Sequence, residues 1–414
     1  MNHALARNPW TIAGIGLVIL MVTNGLTATA ISVFDEALLA EFGWSRGELK
    51  FRDFLNFGVV ALFAPLGGLM LDRFGARRLL VVGCLALSAA YAAYSRLETL
   101  WQMYAIHIVF ALALLTAGTM VVIVLVSSWF VARRGVAIGI ALVGTSAGSF
   151  VFSPLNAVLI ERLGWRQAFL VEAALPLVVL ALVLLLVRNS PTELGGAPVG
   201  VAADGPDPRS IGLDFGDALR TRSFWAIGLS GFLMYYSILA IFGHLFLHMR
   251  GLGYEPTAAA SALSLLALLA MFGKLGSGWL ADRIDRHRVF MGCLALMLVG
   301  VGGLATMKPG AWVWASVTVI GLGWGGLFTL YNMLTVSNFG LKAIGKINGS
   351  ISSMESFGGG LGIWLTGRLF DVWDSYEVPF LVLLGCVALG LVIGTQIRSE
   401  LPEDRLRRMS AARG

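Results

Sequence analysis

The chain has 414 residues, of which 57% are hydrophobic and only 13% are charged, and its mean hydropathy is +0.81. A water-soluble protein of this length needs far more charge to cover its surface, so the composition excludes a soluble protein. The net charge of +6 does not indicate a nucleic-acid partner, because the basic residues gather in alternate loops between apolar runs.

Apolar runs of about 18 residues or more, each long enough to cross the hydrocarbon layer of a bilayer, recur along the whole sequence. They lack the alternation of outer-membrane barrel strands, so helices are the expected spanning element. The first run is too long for a signal peptide and lacks a small-residue cleavage site. The sequence therefore predicts an all-α membrane protein with twelve transmembrane helices, at about 9–33, 48–71, 77–95, 100–130, 134–159, 166–187, 223–247, 257–281, 287–307, 311–336, 344–367 and 378–397.

Lysine and arginine sort to one side of the predicted membrane. With the N-terminus inside, the cytoplasmic segments hold about 20 of the 30 lysines and arginines, whereas the opposite loops are acidic, as at Glu98, Asp371 and Glu377. This asymmetry predicts a multi-pass protein of the cell inner membrane with both termini in the cytoplasm.

One segment of the sequence occurs twice. Residues 68–78, GLMLDRFGARR, return 210 positions later at 278–288 as GWLADRIDRHR. The same offset relates four pairs of glycines, namely Gly43 and Gly253, Gly135 and Gly345, Gly139 and Gly349, and Gly148 and Gly358. A constant offset without gaps predicts two homologous halves in parallel orientation, as in transporters built from two six-helix bundles.

The repeat sets the expected domain organisation. We expect a first six-helix bundle over 1–187 and a second over 223–398. The Pro-, Gly- and Asp-rich stretch over 188–222 can bury little apolar area and is expected to be a flexible cytoplasmic connector. Residues 399–414 form the expected cytoplasmic tail.

The repeated loop resembles the signature that the major facilitator superfamily carries between its second and third spans, with a weaker copy between the eighth and ninth. The resemblance implies that an acidic residue pairs with an arginine near the start of a neighbouring helix and closes the cytoplasmic face. Such a contact is worth about 0.3–1 kcal/mol or more. Alternatively, the arginines only hold the loop on the cytoplasmic side. The candidate gating residues are Asp72, Arg73, Arg77, Asp282 and Arg283.

Further motifs resemble monocarboxylate porters and their bacterial oxalate–formate-type relatives. They are WFVARRGVAIGIA at 129–141, FGWSR at 42–46, SPTELG at 190–195 and FW at 224–225. The resemblance implies a carboxylate substrate. This chain lacks the acidic, glycine-rich signature of those porters in its first helix, and it carries Glu355 where oxalate–formate exchangers carry a lysine.

Two ionisable residues inside predicted spans lead the candidate list, because a charge in the membrane is costly and faces protein or water. Lys274 occupies the position where related carboxylate porters carry a cation, so we expect it to bind the substrate carboxylate. It could instead pair with Glu355 or extend toward the cytoplasmic face. Glu355 lies among serines in an apolar span, where the neutral carboxyl is favoured, so we expect it to bind the coupled proton.

Other charged and titratable residues stand in the second, fourth and seventh spans. His244 can donate to a substrate carboxylate, and related porters resemble this chain in having a histidine there; an interhelical hydrogen bond is the alternative. The neighbours Arg52 and Asp53 point about 100° apart on a helix, so they are not expected to neutralise each other. One of them is predicted to face the cavity, with a role in the outer vestibule or a pair with Asp35 as alternatives. His107 and Asp53 are further proton-coupling candidates.

Three uncharged polar residues complete the predicted substrate site: Asn24, Tyr331 and Asn332. The resemblance implies that the first, fourth, seventh and tenth helices line the cavity. Hydrogen bonds between helices explain such residues equally well.

The sequence contains no ATP-binding loop, nucleophile motif, paired catalytic carboxylates or metal-ligand spacing, so we expect no enzymatic activity, cofactor or metal. The leading hypothesis is a monomeric secondary transporter in the lipid bilayer. It would move a small organic anion, such as lactate or pyruvate, together with a proton by alternating access. The alternative is a proton-driven exporter of a hydrophobic or cationic compound, with Glu355 or Asp53 binding the cation.

Overall fold

A computed structural model describes residues 8–130, 133–195, 199, 212–306, 309–340, 342–398 and 400. The described residues are almost entirely helical. Their helices, in chain order, are α1 (Pro9–Leu20), α2 (Asp35–Phe42), α3 (Arg46–Phe74), α4 (Ala76–Tyr94), α5 (Leu100–Ala117), α6 (Thr119–Trp129), α7 (Arg134–Leu163), α8 (Trp165–Leu186), α9 (Phe215–Leu219), α10 (Arg222–Gly251), α11 (Pro256–Ala281), α12 (Arg286–Ala305), α13 (Ala311–Phe339), α14 (Ile344–Trp373) and α15 (Glu377–Gly394).

Ten helical segments in the described part of the chain are long and apolar enough to cross a membrane. Two more predicted spans, α3 and α14, are outside these ten but are helical over 29 and 30 residues, which also suffices in length. The prediction of an all-α membrane protein is confirmed. The number of spans, twelve, stays a prediction.

The chain packs as two compact units. Unit 1 comprises Met1–Ala203 and Phe242–Leu268, and unit 2 comprises Asp204–Ile241 and Leu269–Gly414. The end of α10 and the beginning of α11 therefore belong to unit 1. A unit defined by packing need not coincide with a unit of sequence repetition, so the expected boundaries at 187 and 223 stay predictions.

The first predicted span is not a uniform α-helix. After α1 the chain continues as a π-helix over Met21–Thr29 and a 3-10 helix over Ala30–Phe34, which leads into α2. Close packing accompanies the change, since a Cβ atom at Gly25 would lie 2.4 Å from the Cα atom of Gly148 in α7. Single-turn π insertions within α-helices often lie at functional sites. The π-helix in the first span is longer than one turn, so this segment is a candidate for a functional role.

The glycines that identified the repeat have matching roles in the two units. In unit 1, a Cβ atom at Gly148 would lie 2.2 Å from the carbonyl oxygen of Met21. In unit 2, a Cβ atom at Gly358 would lie 2.5 Å from the carbonyl oxygen of Phe232 in α10. Each glycine thus lets a helix touch the backbone of the first helix of its own half of the sequence.

The ends of the predicted connector are structured, which corrects the expectation of a flexible segment throughout. A 3-10 helix spans Pro191–Leu194, and the hydroxyl of Ser128 and the indole N–H of Trp129 donate to the backbone carbonyls of Asn189 and Arg188. These contacts satisfy the backbone carbonyls of Asn189 and Arg188, which would otherwise accept hydrogen bonds from water. Residues 196–198 and 200–211, and all of the tail except Glu400, lie outside the described residues.

Candidate functional site

Lys274 lies on α11, where that helix crosses α13 in unit 2. The crossing is close, because a Cβ atom at Gly325 would lie 2.0 Å from the carbonyl oxygen of Ala270. The Lys274 ammonium group lies 4.5 Å from the centroid of the Phe328 ring. A cation over an aromatic face gains about 0.5–2 kcal/mol, depending on its exposure to water. The partly exposed Lys274 is therefore held in place without being fully enclosed.

Glu355 lies on α14 and is 8% exposed. Its carboxyl faces α10, where a Cβ atom at Gly231 would lie 3.1 Å from the Oε1 atom. The phenol groups of Tyr235 and Tyr331 are near enough to interact electrostatically with the carboxyl. Any larger residue at position 231 would crowd this site, so the glycine makes room for the carboxyl.

Aromatic side chains connect the surroundings of these two residues. Tyr235 packs edge-to-face on Trp324, with ring centroids 5.0 Å apart, and Trp324 packs on Phe328 at 5.9 Å. Edge-to-face contacts at these distances are stabilising. Unit 2 thus places an ammonium group at one end of an aromatic row and a buried carboxyl near the other.

The two polar residues predicted in the tenth span differ in their placement. The Tyr331 hydroxyl donates to the Ser230 hydroxyl at 3.4 Å, and its phenol is close to Glu355. Asn332 is exposed, and its amide donates to the carbonyl of Phe328 one turn earlier at 3.2 Å. Tyr331 therefore belongs to the same cluster as Glu355, whereas the Asn332 amide bonds to its own helix.

His244 is fully buried in the part of α10 that belongs to unit 1. Lys274 and Glu355 both belong to unit 2. The substrate contact expected of His244 stays a prediction.

In unit 1, the first turns of α3 carry a buried cluster of charges. A capping box fixes the start of this helix, since the Ser45 hydroxyl accepts from the Glu48 N–H at 3.2 Å and the Glu48 carboxylate accepts from the Ser45 N–H at 2.9 Å. Lys50 and Arg52 then project from the next turn and donate to the carboxylate of Asp35, the latter at 2.5 Å. All three of these charged side chains are fully buried.

Asp53 completes this cluster and corrects one expectation. Its carboxylate lies 3.7 Å from the Nε atom of Arg52 and 4.0 Å from the Lys50 ammonium. Although neighbouring side chains leave a helix in different directions, the long arginine side chain bends back far enough to approach its neighbour. The cluster holds two cations and two carboxylates, so it is neutral as a whole, which lowers the cost of burying it.

His107 joins the charge cluster through Tyr94. Arg52 donates to the Tyr94 hydroxyl oxygen at 3.2 Å, and this hydroxyl lies 3.0 Å from the Nε2 atom of His107. The Tyr94 hydroxyl can accept from Arg52 and also bond to Nε2, donating or accepting according to the tautomer of the imidazole. His107 is therefore connected to the cluster through the Tyr94 hydroxyl.

Asn24 lies where two irregular helices of unit 1 meet. The fourth predicted span is divided into α5 and α6 at Gly118, whose backbone is extended. Thr119, the first residue of α6, donates its hydroxyl to the Asn24 amide oxygen at 3.2 Å, and Asn24 belongs to the π-helical segment. Interrupted helices with polar side chains at the break form the substrate and ion sites of many transporters.

The predicted gating residues lie at helix ends. Asp72 is in the last turn of α3, and the structure does not describe its side chain. Arg73 is exposed, and Arg77 donates to the Leu184 carbonyl at 2.8 Å at the end of α8. In the second copy, Asp282 is exposed. Arg283 lies over the Trp279 ring, 3.8 Å from its centroid.

Sequence reasoning missed two buried charged residues, Lys50 and Glu172. It also missed Tyr94, whose hydroxyl links Arg52 to His107. Glu172 lies in α8 and is 1% exposed, so the criterion that selects Glu355, an acidic residue inside an apolar span, applies equally to it. Tyr94 carries no charge and could be identified only from its neighbours in the fold.

Comparisons with known proteins agree with this architecture. The chain is 28% identical to monocarboxylate transporter 13 of Bos taurus, over 85% of this chain and 81% of that protein. It is 26% identical to human monocarboxylate transporter 11, over 95% and 83% of the two chains. It is also 23% identical to the uncharacterised transporter YhjX of Escherichia coli K12, over 83% and 84%.

Two solved structures share the fold. The nucleoside transporter NupG aligns with a TM-score of 0.73 at 12% identity, covering 94% of this chain and all of that one. A bacterial homologue of the human lysosomal transporter Spinster aligns with a TM-score of 0.70 at 14% identity, covering 94% and 95%. The family model described as Major Facilitator Superfamily matches residues 15–363. With a match over most of its length, this chain belongs to the major facilitator superfamily of membrane transporters.

Proposed function

We propose that this chain is a symporter that carries a small monocarboxylate, such as lactate or pyruvate, together with a proton. Membership of the superfamily supports a transporter of small molecules, and alternating access is the mechanism expected of two homologous halves. Relatives that are named monocarboxylate transporters support the substrate class, at 22–28% identity.

The observation that carries the proposal is the pairing of chemistries in unit 2. Lys274 offers a cation for a carboxylate and lies at one end of the aromatic row, and Glu355 offers a titratable group near the other end. Apolar rings between them suit the short hydrocarbon part of a lactate or pyruvate molecule.

Charge balance gives a reason why substrate and proton would travel together. With the site empty and Glu355 ionised, Lys274 and Glu355 sum to zero. With the substrate anion bound and Glu355 protonated, the sum is again zero. Substrate alone leaves one negative charge and a proton alone leaves one positive charge, and either is costly inside a membrane. We therefore expect the protein to change conformation when the site is empty or when it holds both the substrate anion and the proton, because only these two states are neutral.

The same proposal places the chain in the cell inner membrane with both termini in the cytoplasm. Basic residues cluster in both copies of the repeated loop, at Arg73, Arg77 and Arg78 and again at Arg283, Arg286 and Arg288. This is the distribution expected of cytoplasmic loops. Fusing a reporter protein to each terminus tests the orientation. If a reporter that works only outside the cytoplasm were active at either terminus, the proposed orientation would be contradicted.

Uptake into proteoliposomes tests the substrate. Purified protein should accumulate labelled lactate when the outside is more acidic than the inside, and Lys274→Ala should abolish this uptake. Lys346→Ala is the matched control, because Lys346 is an exposed lysine at the start of α14. Equal uptake by the two variants would exclude Lys274 as the substrate cation.

A second variant tests the proton. Glu355→Gln should still exchange lactate across the membrane but should no longer respond to the pH gradient, whereas Glu161→Gln, at an exposed glutamate, should behave as wild type. The exporter alternative gives the opposite outcome. In that case a hydrophobic cation would be expelled, Glu355→Gln would abolish its transport, and Lys274→Ala would leave it unchanged.

A further inference from the structure

A buried carboxyl group in unit 1 lies outside the sites described above. Glu172 in α8 is 1% exposed, and neither of its carboxyl oxygens has a hydrogen-bond partner among the described residues. An ionised carboxylate buried in this way would be strongly destabilising. The arrangement around Glu172 therefore needs an explanation from its neighbours.

Two polar side chains face Glu172, and both bond to the irregular part of the first helix. Asn156 in α7 lies close enough to the carboxyl to interact with it but not within regular hydrogen-bond geometry, and one of its amide N–H groups donates to the Ala30 carbonyl at 3.3 Å. Tyr91 in α4 interacts with the carboxyl, and its hydroxyl lies 2.9 Å from that of Thr27. Thr27 belongs to the π-helical segment, and Ala30 begins the 3-10 segment.

The hydrogen-bonding capacity of these groups shows which form of Glu172 fits the structure. An ionised carboxylate only accepts, so it would attract an Asn156 N–H and the Tyr91 hydroxyl proton. A protonated carboxyl can donate, and the amide oxygen of Asn156 is a buried acceptor without a partner among the described residues. In this structure the Asn156 amide bonds to Ala30, the Tyr91 hydroxyl bonds to Thr27, and neither completes a hydrogen bond to Glu172.

We propose that Glu172 is a proton-binding site, and that its ionisation draws Asn156 and Tyr91 away from the first helix at Ala30 and Thr27. Tyr91 is the titratable group that faces Glu172 within the described ranges, and Asn156 faces it from α7 without titrating. The chain thereby couples one protonation event to the segment where its first helix changes from π to 3-10 geometry.

Buried hydroxyls give the proton a polar route along α7. Ser149, Ser153 and Asn156 are spaced by four and three residues, so they lie on one face of this helix. The hydroxyls of Ser149 and Ser153 are buried without partners in the described part of the chain. Ser149 adjoins the π-helical segment, since a Cβ atom at Gly25 would lie 2.9 Å from its backbone nitrogen. A hydroxyl can both accept and donate, as proton transfer requires.

The test uses the full-length protein in lipid nanodiscs without any substrate, so its result does not depend on the proposed cargo. Infrared spectroscopy measures the carbonyl band of protonated carboxyl groups across pH. Hydrogen–deuterium exchange, corrected for the intrinsic pH dependence, measures protection of residues 21–34. As pH rises, wild type should lose the Glu172 carboxyl band, identified as the band that Glu172→Gln lacks. Protection of residues 21–34 should fall several-fold over the same pH range.

Glu172→Gln should lack that band and keep residues 21–34 protected at every pH, whereas the exposed control Glu161→Gln should follow wild type. Equal exchange profiles in Glu172→Gln and wild type would overturn the proposal, and so would the absence of a Glu172 band at low pH.

Tyr91→Phe provides a second variant that keeps the aromatic packing. It removes a donor that would stabilise ionised Glu172 by a charge-assisted hydrogen bond, which is stronger than the neutral bond to Thr27. The loss of the Glu172 carboxyl band and the loss of protection of residues 21–34 should therefore both occur at higher pH than in wild type. A transition at the wild-type pH would contradict the proposed role of Tyr91.

Discussion

Arg52 donates to Asp35 at 2.5 Å across two helices, and both side chains are completely buried. The bond joins the start of α3 to the start of α2, on either side of the short turn that contains Gly43. A second cation, Lys50, pairs with the same carboxylate. The burial of the bond between Arg52 and Asp35 distinguishes it from the surface ion pairs of this protein.

Asp35→Asn should lower the stability of the protein by about 3–5 kcal/mol, because it leaves two buried cations with a single remaining carboxylate. Thermal unfolding of the purified protein in detergent measures the effect. Glu41→Gln is the matched control. It removes the carboxylate of the Glu41–Arg166 pair, whose side chains are 39% and 41% exposed. An exposed pair contributes about 0–1 kcal/mol, so equal losses in the two variants would show that burial does not matter here.

Phe328→Leu should weaken the binding of lactate, the proposed substrate, without greatly changing the fold. The substitution keeps an apolar side chain in α13 but removes the ring beneath the Lys274 ammonium, a contact worth about 0.5–2 kcal/mol. Lactate affinity, measured by thermal shift at several concentrations, should fall by about 2- to 30-fold if that contact positions the lysine. Phe357→Leu, at an exposed phenylalanine on α14, is the control and should leave the affinity unchanged.

Two pairs of glycines allow a test of the repeat. Gly148→Ala and Gly358→Ala place a methyl group 2.2 and 2.5 Å from backbone carbonyl oxygens, so each should cost about 1–3 kcal/mol through overpacking. Gly139 and Gly349 keep the same 210-residue offset but have open space where a methyl group would be added, so their alanine variants should be tolerated. Folded yield and thermal unfolding of the four variants measure this. Loss of stability at Gly139 and Gly349 as well would contradict the packing explanation.

The features that the sequence could predict are those encoded locally. Apolar length predicts spanning helices, and a constant offset predicts the repeat, because both are properties of nearby or matching residues. The pair between Arg52 and Asp35 could be named only as an alternative, since spacing along a helix gives a direction but not the opposing helix. The link that Tyr94 makes between Arg52 and His107 could not be predicted, because it depends wholly on tertiary contacts. The π-helical segment packs closely against α7, and no local pattern in the first span reveals that contact.

The ion pair between Glu36 and Arg250 allows a test of movement between the two halves of the repeat. In unit 1, the Nε atom of Arg250, at the end of α10, donates to both carboxylate oxygens of Glu36 in α2, at 2.9 and 2.7 Å. Glu36 belongs to the first half of the repeat and Arg250 to the second. If the two halves of the repeat rock against each other in the proposed transport cycle, this contact breaks once in every cycle.

Joining these two positions covalently should therefore stop transport. In a background without the native cysteines, Glu36→Cys with Arg250→Cys should lose lactate uptake after treatment with a short bismaleimide, whereas each single cysteine variant should keep it. Without the reagent, the double variant should be only slightly less stable than its parent, because the pair is partly exposed and worth about 0–1 kcal/mol. Full uptake by a cross-linked double variant would show that these two helix ends stay together throughout the cycle.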